Sequence, residues 1–524
     1  MKKNELFSFL LVSLIFTLYI FFQAKYSSNL CDGTFIYPLD DTYIHLSISK
    51  NIVEHGVWGV TRHEFSSSTS SPLYTIILSA VIFIFGNIPI LPLYLNYVFS
   101  ILLIYFFIRN STKFLRFSDV QPNYKNLLLI TSAFILLTVL PVLALSGMEH
   151  ILQIILNLSL FHTFLRFILD DNKKYDVFSI SFLSFLSVAV RYEGLFIIFL
   201  MFLMLIIRKK YIPATLILIS GLLPLIIYGI FSTMNGSYFL PNSIIIKGGK
   251  PKPEIFSLLM FPFKWIVQLI ENLHLLSIFL ILTFNIILYK RMKLSFLSNQ
   301  IIISLFWILL TIIHLTFART GWVYRYEAYL IAIGFIIIIY NFYYLIVKIR
   351  PNMKIVVIIM LLLAIPFITR AYSAFTEIGM MSKNIYEQQF QMSRFLKEYY
   401  NNATIVINDI GACTYFADVK ILDLVCLGSK ETLDLRLKRQ FTKENIKRLA
   451  ENKNPEIAII YEDAFKEYIP DNWKKAGTWT INHNVGCAYP TVSFYSIGEP
   501  KEKLINNMMN FVEKLPKDIS FDFK

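Results

Sequence analysis

The sequence predicts a polytopic α-helical membrane protein that ends in an extracytoplasmic α/β domain. Of its 524 residues, 56% are hydrophobic and 47 are phenylalanine, whereas soluble domains are about 45–50% apolar. Apolar runs such as residues 6–22 and 328–347 are long enough to cross roughly 30 Å of hydrocarbon as helices. From about residue 371 onward the apolar runs shorten to the length of strands.

Short basic clusters between the apolar runs give the predicted orientation. Lys and Arg favour the cytoplasmic side of a membrane, which also explains the net charge of +14 better than nucleic-acid binding does. We therefore expect a cytoplasmic N-terminus and cytoplasmic basic clusters at residues 109–125, 173–174, 208–210, 290–293 and 348–354.

About eleven crossings follow from this orientation, and they leave the C-terminus outside. Residues 72–86 are too short for a crossing, so we expect a re-entrant or interfacial helix there. The predicted crossings are residues 6–22, 88–108, 126–145, 148–168, 177–190, 195–207, 211–231, 272–289, 298–317, 328–347 and 353–370.

Two domains are predicted. Residues 1–370 form a transmembrane domain with a long first loop at residues 23–71, and residues 371–524 form an α/β domain. The α/β assignment depends on short apolar runs that alternate with helical stretches. The predicted strands are residues 404–408, 420–425, 456–460, 477–481 and 492–497.

The four cysteines, Cys31, Cys413, Cys426 and Cys487, include no C-x-x-C pair. This spacing disfavours a zinc site. A disulfide among the last three is permitted by an extracytoplasmic location but is not implied by it.

Two adjacent aspartates, Asp40 and Asp41, end the segment FIYPLDD of the first loop. Neighbouring side chains on a strand or helix point in different directions, so one carboxylate can face a substrate while the other orients it or holds a cation. A carboxylate is a natural general base for a hydroxyl proton. The alternative is a solvated acidic turn, since Asp is a common N-cap. The residues that follow predict a short amphipathic helix on the membrane surface.

Three more candidates follow in TRHEFSSSTSSPLY of the same loop. Arg62 and His63 suit a phosphate group, and Glu64 suits a position beside the aspartates or at a metal. The serine and threonine run also fits a plain linker.

Two other predicted outer loops carry acidic and basic side chains. Glu149, in SGMEH, lies at a membrane edge, where an acidic residue needs a partner or water. Arg191 and Glu193, in RYEG, fit a structural ion pair or a phosphate-binding arginine that the glutamate orients.

Asn242 and Lys247, in YFLPNSIIIKGGK, and Arg325, between two tyrosines in GWVYRYEAYL, complete the set of candidates. An arginine with aromatic neighbours suits a sugar phosphate and equally suits an anchor at the membrane interface. The sequence contains no G-x-x-x-x-G-K-[ST] loop, no dinucleotide fingerprint and no H-E-x-x-H motif. An ATP-driven pump is therefore not indicated.

The order of these motifs resembles that of bacterial GT-C superfamily glycosyltransferases. Within that superfamily the chain looks most like the arabinofuranosyltransferase-like and related polyprenyl-phosphate-sugar-dependent enzymes. The segment NDIGACTYFADVKILDLVCLG is similar to the start of the soluble domain that many of them carry. The resemblance extends from about residue 35 to 430.

The resemblance implies a GT-C-like fold and assigns roles to the acidic residues. Asp40 matches the first Asp of the family's acidic motif and would be the catalytic base. Asp41 matches the second and would orient it or help to hold a metal. Glu149 matches a site position, and Tyr192 departs from the commoner R-P-E-G, which puts the geometry of that turn in question.

The substrate-binding set that follows from the motifs and the resemblance consists of residues on several loops. Asn242, Lys247 and Arg325 match donor-side positions. The full set is Arg62, His63, Glu64, Glu149, Arg191, Glu193, Asn242, Lys247 and Arg325.

The function implied by the resemblance is inverting glycosyl transfer. A monosaccharide would move from a polyprenyl-phosphate carrier to a hydroxyl of an acceptor glycan or lipid, at the outer side of a bacterial cytoplasmic membrane. A divalent cation, Mg²⁺ or Mn²⁺, at Asp40 and Asp41 is allowed but not required. The alternatives are a transporter or flippase for a lipid-linked saccharide, which often has internal repeats, and a polymerase or ligase of the O-antigen type.

Overall fold

The computed structural model of the protein describes residues 3–116, 123–169, 175–247, 263–296, 298–349 and 353–524. The chain divides into two compact units. The first consists of Met1–Phe22, Leu93–Ile226 and Pro253–Thr376, and the second of Gln23–Pro92, Ile227–Lys252 and Glu377–Lys524. The second unit joins the first loop to the C-terminal residues. The division predicted between residues 370 and 371 keeps these apart, and it stays a prediction.

Helices make up most of the described chain before residue 400, and the membrane class is confirmed. Seven helical segments of the described residues are long and apolar enough to cross a membrane, and five shorter helices are also apolar. The number of crossings and their orientation stay predictions, and the basic residues 173, 174 and 350 lie outside the described part. The helices are α1 (Lys3–Leu30), α2 (Asp40–His55), α3 (Pro72–Phe85), α4 (Leu91–Arg116), α5 (Tyr124–Leu137), α6 (Leu140–Leu145), α7 (His150–Leu169), α8 (Tyr175–Val190), α9 (Gly194–Ile207), α10 (Tyr211–Met234), α11 (Asn242–Lys247), α12 (Lys264–Glu271), α13 (Leu273–Arg291), α14 (Asn299–Phe317), α15 (Ala328–Ile349) and α16 (Met353–Ile385).

The segment predicted as one crossing at residues 126–145 is two helices. α5 ends at Leu137, and Val139 has a φ of 47° before α6 begins. The cause is Pro141, because a proline ring clashes with the carbonyl four residues earlier, which is that of Leu137.

At the other end of the helical region, two predicted elements form one continuous helical stretch. α16 passes the predicted end of its crossing at residue 370 and continues through a π-helical turn (Tyr386–Phe390) into α17 (Gln391–Tyr399). At Gly379 an added Cβ would lie 2.7 Å from a ring carbon of Tyr26. The glycine therefore allows close packing there without ending the helix.

The C-terminal residues of the second unit form a mixed sheet. Its strands in the described chain are β1 (Thr404–Ile407), β2 (Lys420–Asp423), β3 (Ile457–Ile460), β4 (Lys474–Ile481), β5 (Thr491–Ser496) and β6 (Ile519–Phe523). Their order is β2-β1-β3-β5-β4-β6, with β1 parallel to β2 and β3 and the other pairs antiparallel. The sequence predicts five of these strands but not the edge strand β6.

The remaining helices of this region pack around the sheet. They are α18 (Gly411–Phe416), α19 (Lys430–Leu437), α20 (Lys443–Lys453), α21 (Glu462–Phe465) and α22 (Lys501–Val512).

The apolar side of α2 is buried in protein. Ile44 and Ile48 belong to one hydrophobic core together with Phe395, Trp479 and Phe494. The sequence correctly predicts the helix, but its apolar residues pack within the second unit rather than lying on a membrane surface. The first loop is thereby part of the same core as the sheet.

Candidate functional site

Asp40 lies in the first turn of α2, and both of its carboxylate oxygens accept hydrogen bonds from the backbone. The N–H of Gly411 donates to Oδ2 and the N–H of Ala412 donates to Oδ1, each at 2.7 Å. These amides open α18, where backbone N–H groups have no partner inside the helix. The N-cap of α2 is Leu39, so Asp40 does not cap its own helix.

Gly411 permits this approach. A Cβ at this position would lie 2.1 Å from the backbone oxygen of Asp40 and 2.8 Å from its Cγ. Any side chain at residue 411 would therefore push α2 and α18 apart.

Lys50, ten residues after Asp40 on α2, binds the opposite end of α18. Its Nζ donates to the carbonyl of Tyr415 at 2.8 Å and contacts that of Thr414 at 3.5 Å. A carboxylate at the amide end and an ammonium at the carbonyl end match the polarity of a helix. The first eleven residues of α2 thus clamp α18 at both ends.

Asp409 is a site residue that the sequence analysis does not identify. It follows β1 closely, and its Oδ2 accepts from Gln389 Nε2 at 2.7 Å and from the hydroxyl of Tyr461 at 2.6 Å. Tyr461 follows β3, the parallel neighbour of β1. In sheets with parallel strands, ligands bind beyond the carboxyl ends of such strands where the strand order reverses. The available signal is the polar pair Asn408-Asp409 at the end of a predicted buried strand.

Asp40, Asp41 and Asp409 influence one another electrostatically. Burial raises the pKa of Asp40, and the charges of Asp409 and Asp41 raise it further, against the lowering effect of the two amides. Burial likewise raises the pKa of Asp409, and Asp41 adds to that rise. A carboxylate with a raised pKa is a stronger base than an ordinary aspartate.

The described residues do not show a full set of ligands for the cation expected at Asp40 and Asp41. Among the described residues, no group of three or more His, Cys, Asp and Glu side chains has the arrangement needed to hold a metal ion. Each oxygen of Asp40 already accepts an amide N–H. Cation binding at Asp40 and Asp41 therefore stays a prediction.

Arg62, His63 and Glu64 pair with side chains of the C-terminal residues. Asp418 binds the guanidinium of Arg62, and it binds His63 Nε2 at 3.1 Å. Glu64 lies 3.7 Å from the ammonium of Lys453. These pairs fasten the first loop to the sheet region, and the predicted substrate contacts of the three residues stay predictions.

The serine and threonine run that follows is not a plain linker. Ser66, Ser67, Ser68 and Thr69 are all buried. Ser68 donates to the carbonyl of Leu427 at 2.8 Å. This network gives the run a fixed path through the second unit.

Asn242 is also buried in the second unit. Its Nδ2 donates to the carbonyl of Leu427 at 2.9 Å, and its backbone N–H donates to that of Ser67 at the same distance. Lys247 ends α11, and its side chain lies outside the described part of the chain.

In the first unit, Glu149, Arg191 and Glu193 form one ion group, in which Glu149 and Arg191 are buried and Glu193 is partly exposed. Nη1 of Arg191 donates to Glu149 at 2.6 Å, while its Nε and Nη2 donate to Glu193 at 3.1 and 2.6 Å. Both interpretations of RYEG predict the pair with Glu193, whereas neither predicts the link to SGMEH. Three nitrogens of the Arg191 guanidinium thereby donate to oxygens of two carboxylates.

Arg325 lies beside this group in the same unit. Its guanidinium carbon is 4.9 Å from the ring centre of Tyr326, and that of Arg191 is 5.5 Å from the same ring. The preceding residues Gly321–Tyr324 all have positive φ angles. Glu327 accepts from the N–H of Gly321 at 2.9 Å, and Arg370 donates to the carbonyl of Tyr324 at 2.7 Å. This pair of contacts stabilises a strained turn that positions Arg325.

The predicted site residues are thus distributed over both units. Asp40, Asp41, Arg62, His63, Glu64 and Asn242 belong to the second unit, and Glu149, Arg191, Glu193 and Arg325 belong to the first. Their assignment as a catalytic and binding set stays a prediction.

The comparisons with known proteins concern the C-terminal residues and the fold. A family described as a domain of unknown function, DUF8728, matches residues 383–495. By sequence, no curated protein matches the chain.

Two solved structures are similar to most of the chain. One is ArnT from Cupriavidus metallidurans bound to undecaprenyl phosphate, at a TM-score of 0.50 and 10% identity over 95% of this chain and 98% of that one. The other is an Archaeoglobus fulgidus oligosaccharyltransferase in complex with Zn and sulfate, at a TM-score of 0.45 and 11% identity over 90% of this chain and 73% of that one. The similarity to ArnT confirms the fold that the motifs led us to expect. The protein is a membrane-embedded chain with a GT-C-like fold, similar to that of ArnT.

Proposed function

We propose that the protein is an inverting glycosyltransferase that uses a lipid-linked sugar. The donor is a monosaccharide on a polyprenyl phosphate, and the acceptor is a hydroxyl of a glycan or lipid. The reaction takes place on the outer side of a bacterial cytoplasmic membrane, with the N-terminus of the chain inside and the C-terminal residues outside. The GT-C fold supports the general class of activity, and ArnT, which shares that fold, was solved with undecaprenyl phosphate.

The observation that carries the proposal is the environment of Asp40. Two amides at 2.7 Å fix the orientation of its carboxylate, yet burial and the neighbouring Asp409 keep its pKa raised. A fixed carboxylate that binds a proton well suits general-base catalysis on a hydroxyl group. If Asp40 only capped α18, there would be no reason for the carboxylate of Asp409 to lie where its charge raises the pKa of Asp40.

The proposed reaction is one displacement at the anomeric carbon. Asp40 takes the proton from the acceptor hydroxyl as the oxygen forms its bond to the anomeric carbon. The bond from that carbon to the phosphate oxygen breaks, and its electron pair leaves with the polyprenyl phosphate. Attack from the side opposite the leaving group inverts the configuration. Holding the two reactants in line contributes much of the rate.

Asp41 and Asp409 have supporting parts in this proposal. Asp409 is a positioning residue, because the chain leads from it directly to the two amides that hold Asp40. Asp41, half-buried next to Asp40, raises the proton affinity of that carboxylate. Both roles act through Asp40 and neither needs a metal.

The donor-side role falls to the buried cations of the first unit. Arg191 and Arg325 are 5% and 1% exposed, and buried guanidinium groups bind phosphate oxygens strongly. Glu149 and Glu193 fix Arg191, so its fork keeps one orientation. We expect these arginines to stabilise the leaving phosphate.

Transfer is tested in proteoliposomes with a panel of synthetic polyprenyl-phosphate sugars and a mixture of glycan and lipid acceptors. The wild type should release polyprenyl phosphate and form a glycoside of inverted configuration. Arg325→Gln should weaken use of the donor. Lys466→Gln, which likewise removes a positive charge but at an exposed lysine of the C-terminal region, should leave use of the donor unchanged.

Two outcomes overturn the proposal. If the wild type uses no donor but moves a saccharide lipid across the bilayer, the chain is a transporter. If it transfers only a preassembled glycan, it is a ligase or polymerase. In both cases Asp40 is not the base for transfer of a single sugar.

A further inference from the structure

A cavity of about 270 Å³ opens in the second unit, apart from the carboxylates of the candidate site. It combines three aromatic rings with two cationic side chains, and none of its described lining residues is acidic. The lining residues are Thr34, Phe35, Pro89, Phe390, Arg394, Lys397 and Phe416.

One helix supplies the charged wall of this cavity. Phe390, Arg394 and Lys397 are spaced four and three residues apart along the π-turn and α17, which places them on one helix face. Phe395 and Leu396 lie on the other side of the helix and are fully buried in the core. Phe390, Arg394 and Lys397 therefore form a surface that does not pack into the core.

The two cations keep N–H donors for an anion. Nη1 of Arg394 donates to the side chain of Gln391 at 2.8 Å and to the carbonyl of Lys514 at 3.5 Å, and its guanidinium carbon lies 5.8 Å from the ring centre of Phe511. A guanidinium has five N–H donors in all, so others remain for a ligand. Lys397 is exposed to solvent. An arginine and a lysine one turn apart suit a carboxylate or phosphate group.

The aromatic side chains form the apolar wall. The rings of Phe390 and Phe416 meet edge to face at 5.1 Å, and Phe35 and Pro89 complete the wall. Ligand sites are typically apolar and aromatic with a few placed polar groups. Flat apolar walls with a cationic rim fit a sugar ring that carries an acidic group.

The cavity shares its walls with the elements that hold the carboxylates. Phe416 ends α18, whose first two amides bind Asp40, so this wall of the cavity lies about 6–8 Å from those amides along the helix. Phe390 directly follows Gln389, which binds Asp409. A ligand here therefore lies against α18, which holds Asp40, and beside Gln389, which binds Asp409.

We propose that this cavity binds an acidic sugar residue of the acceptor glycan, next to the residue whose hydroxyl is glycosylated. That the bound glycan is the acceptor rests on the proposed function. That it carries an acidic sugar rests on the residues of the cavity alone. It predicts a glycan with a carboxylate or phosphate substituent near the attachment point.

Binding is measured on the full chain in phosphatidylcholine nanodiscs, without any donor. The probes are a trigalacturonate and its fully methyl-esterified, uncharged counterpart. We expect the charged trisaccharide to bind more tightly. The double variant Arg394→Gln/Lys397→Gln should lose at least about tenfold in affinity, since two charge-assisted contacts disappear. The single variant Lys397→Glu should lose affinity in the same direction, and Lys466→Gln should bind like the wild type.

Other results overturn the inference. If the charged and the esterified trisaccharides bind equally, the cavity does not select an acidic sugar. If the double variant loses binding to phosphatidylglycerol vesicles but keeps its affinity for the charged trisaccharide, the cavity is a lipid headgroup site. Charge-dependent sugar binding by a wild type that transfers no sugar would instead support the saccharide site and overturn only the proposed function.

Discussion

Gly411 is the residue on which the position of Asp40 depends. Its Gly411→Ala variant places a methyl group 2.1 Å from the backbone oxygen of Asp40. Because neither backbone can yield without separating α2 from α18, we expect a loss of about 1–3 kcal/mol in the free energy of unfolding. Thermal unfolding in detergent measures it. An unchanged melting temperature would mean that the two helices are not held as described.

Asp409 adds to the rise in the pKa of Asp40 that burial causes. In Asp409→Asn the negative charge beside Asp40 is removed, so the pKa of Asp40 falls toward its ordinary value. The base is then ionised at lower pH, and the rising limb of transfer against pH should move to lower pH. The pH profile of kcat/KM checks this, with Asp463→Asn as a control, because Asp463 is an exposed aspartate near the carboxyl end of β3. An unshifted limb would separate Asp409 from the chemistry.

The same raised pKa has a consequence for stability. The folded state of the wild type disfavours the ionised form of Asp40, so stability falls as pH rises from the ordinary pKa of an aspartate through the pKa of folded Asp40. Asp409→Asn removes the repulsion between the carboxylates of residues 40 and 409. Its unfolding temperature relative to the wild type should therefore rise with pH across that window, as measured from acid to neutral pH. A difference that does not change with pH would argue against the repulsion.

Sequence patterns predict some of the carboxylates and not others. The doublet at Asp40 and Asp41 is visible because adjacent aspartates beside a membrane are unusual. Asp409 is not, because one aspartate after a strand is common. Its partners Gln389 and Tyr461 are 20 and 52 residues away, and only the folded chain brings them together.

At the scale of elements, α2 holds α18 by its ends. Lys50→Met removes the ammonium from the carbonyl end and keeps the apolar stem. We expect a loss of roughly 0.5–1.5 kcal/mol in the free energy of unfolding but retention of most transfer activity, because Asp40 and its two amides remain. Parallel unfolding and transfer assays check both statements. A loss of transfer as large as that of Asp40→Asn would show that Asp40 acts only as a structural tether.

Most elements follow from local patterns, and the exceptions have physical causes. Short apolar runs predict five strands, whereas β6 is mostly exposed at the chain end and pairs only with β4 among the described strands. The break before α6 has its cause in Pro141, which the hydropathy of residues 126–145 obscures. Helix α16 continues past residue 370 because no strong breaker follows its apolar part.

At the scale of the whole molecule, composition predicts the class and cannot predict the packing. The apolar content indicates a membrane protein, and the motif order indicates a GT-C fold. Ile44 and Ile48 share a core with residues some 350 positions later, such as Phe395. A single sequence contains no local signal for that association.

The cysteines give a prediction for the folded chain. All four lie in the described residues and carry free thiols, so the permitted disulfide is absent from the structure. We expect a reducing agent to leave the unfolding temperature unchanged. A lower unfolding temperature under reduction would reveal a bridge that stabilises the C-terminal region.

The most direct test of the account is transfer by Asp40→Asn in proteoliposomes that contain the donor used by the wild type. Loss of a general base lowers the rate by about 10²–10⁴, and we predict a fall of this size in kcat with little change in donor binding. Lys50→Met, which weakens the same helix clamp, should stay active. Transfer by Asp40→Asn at the wild-type rate would contradict the central claim that Asp40 is the catalytic base.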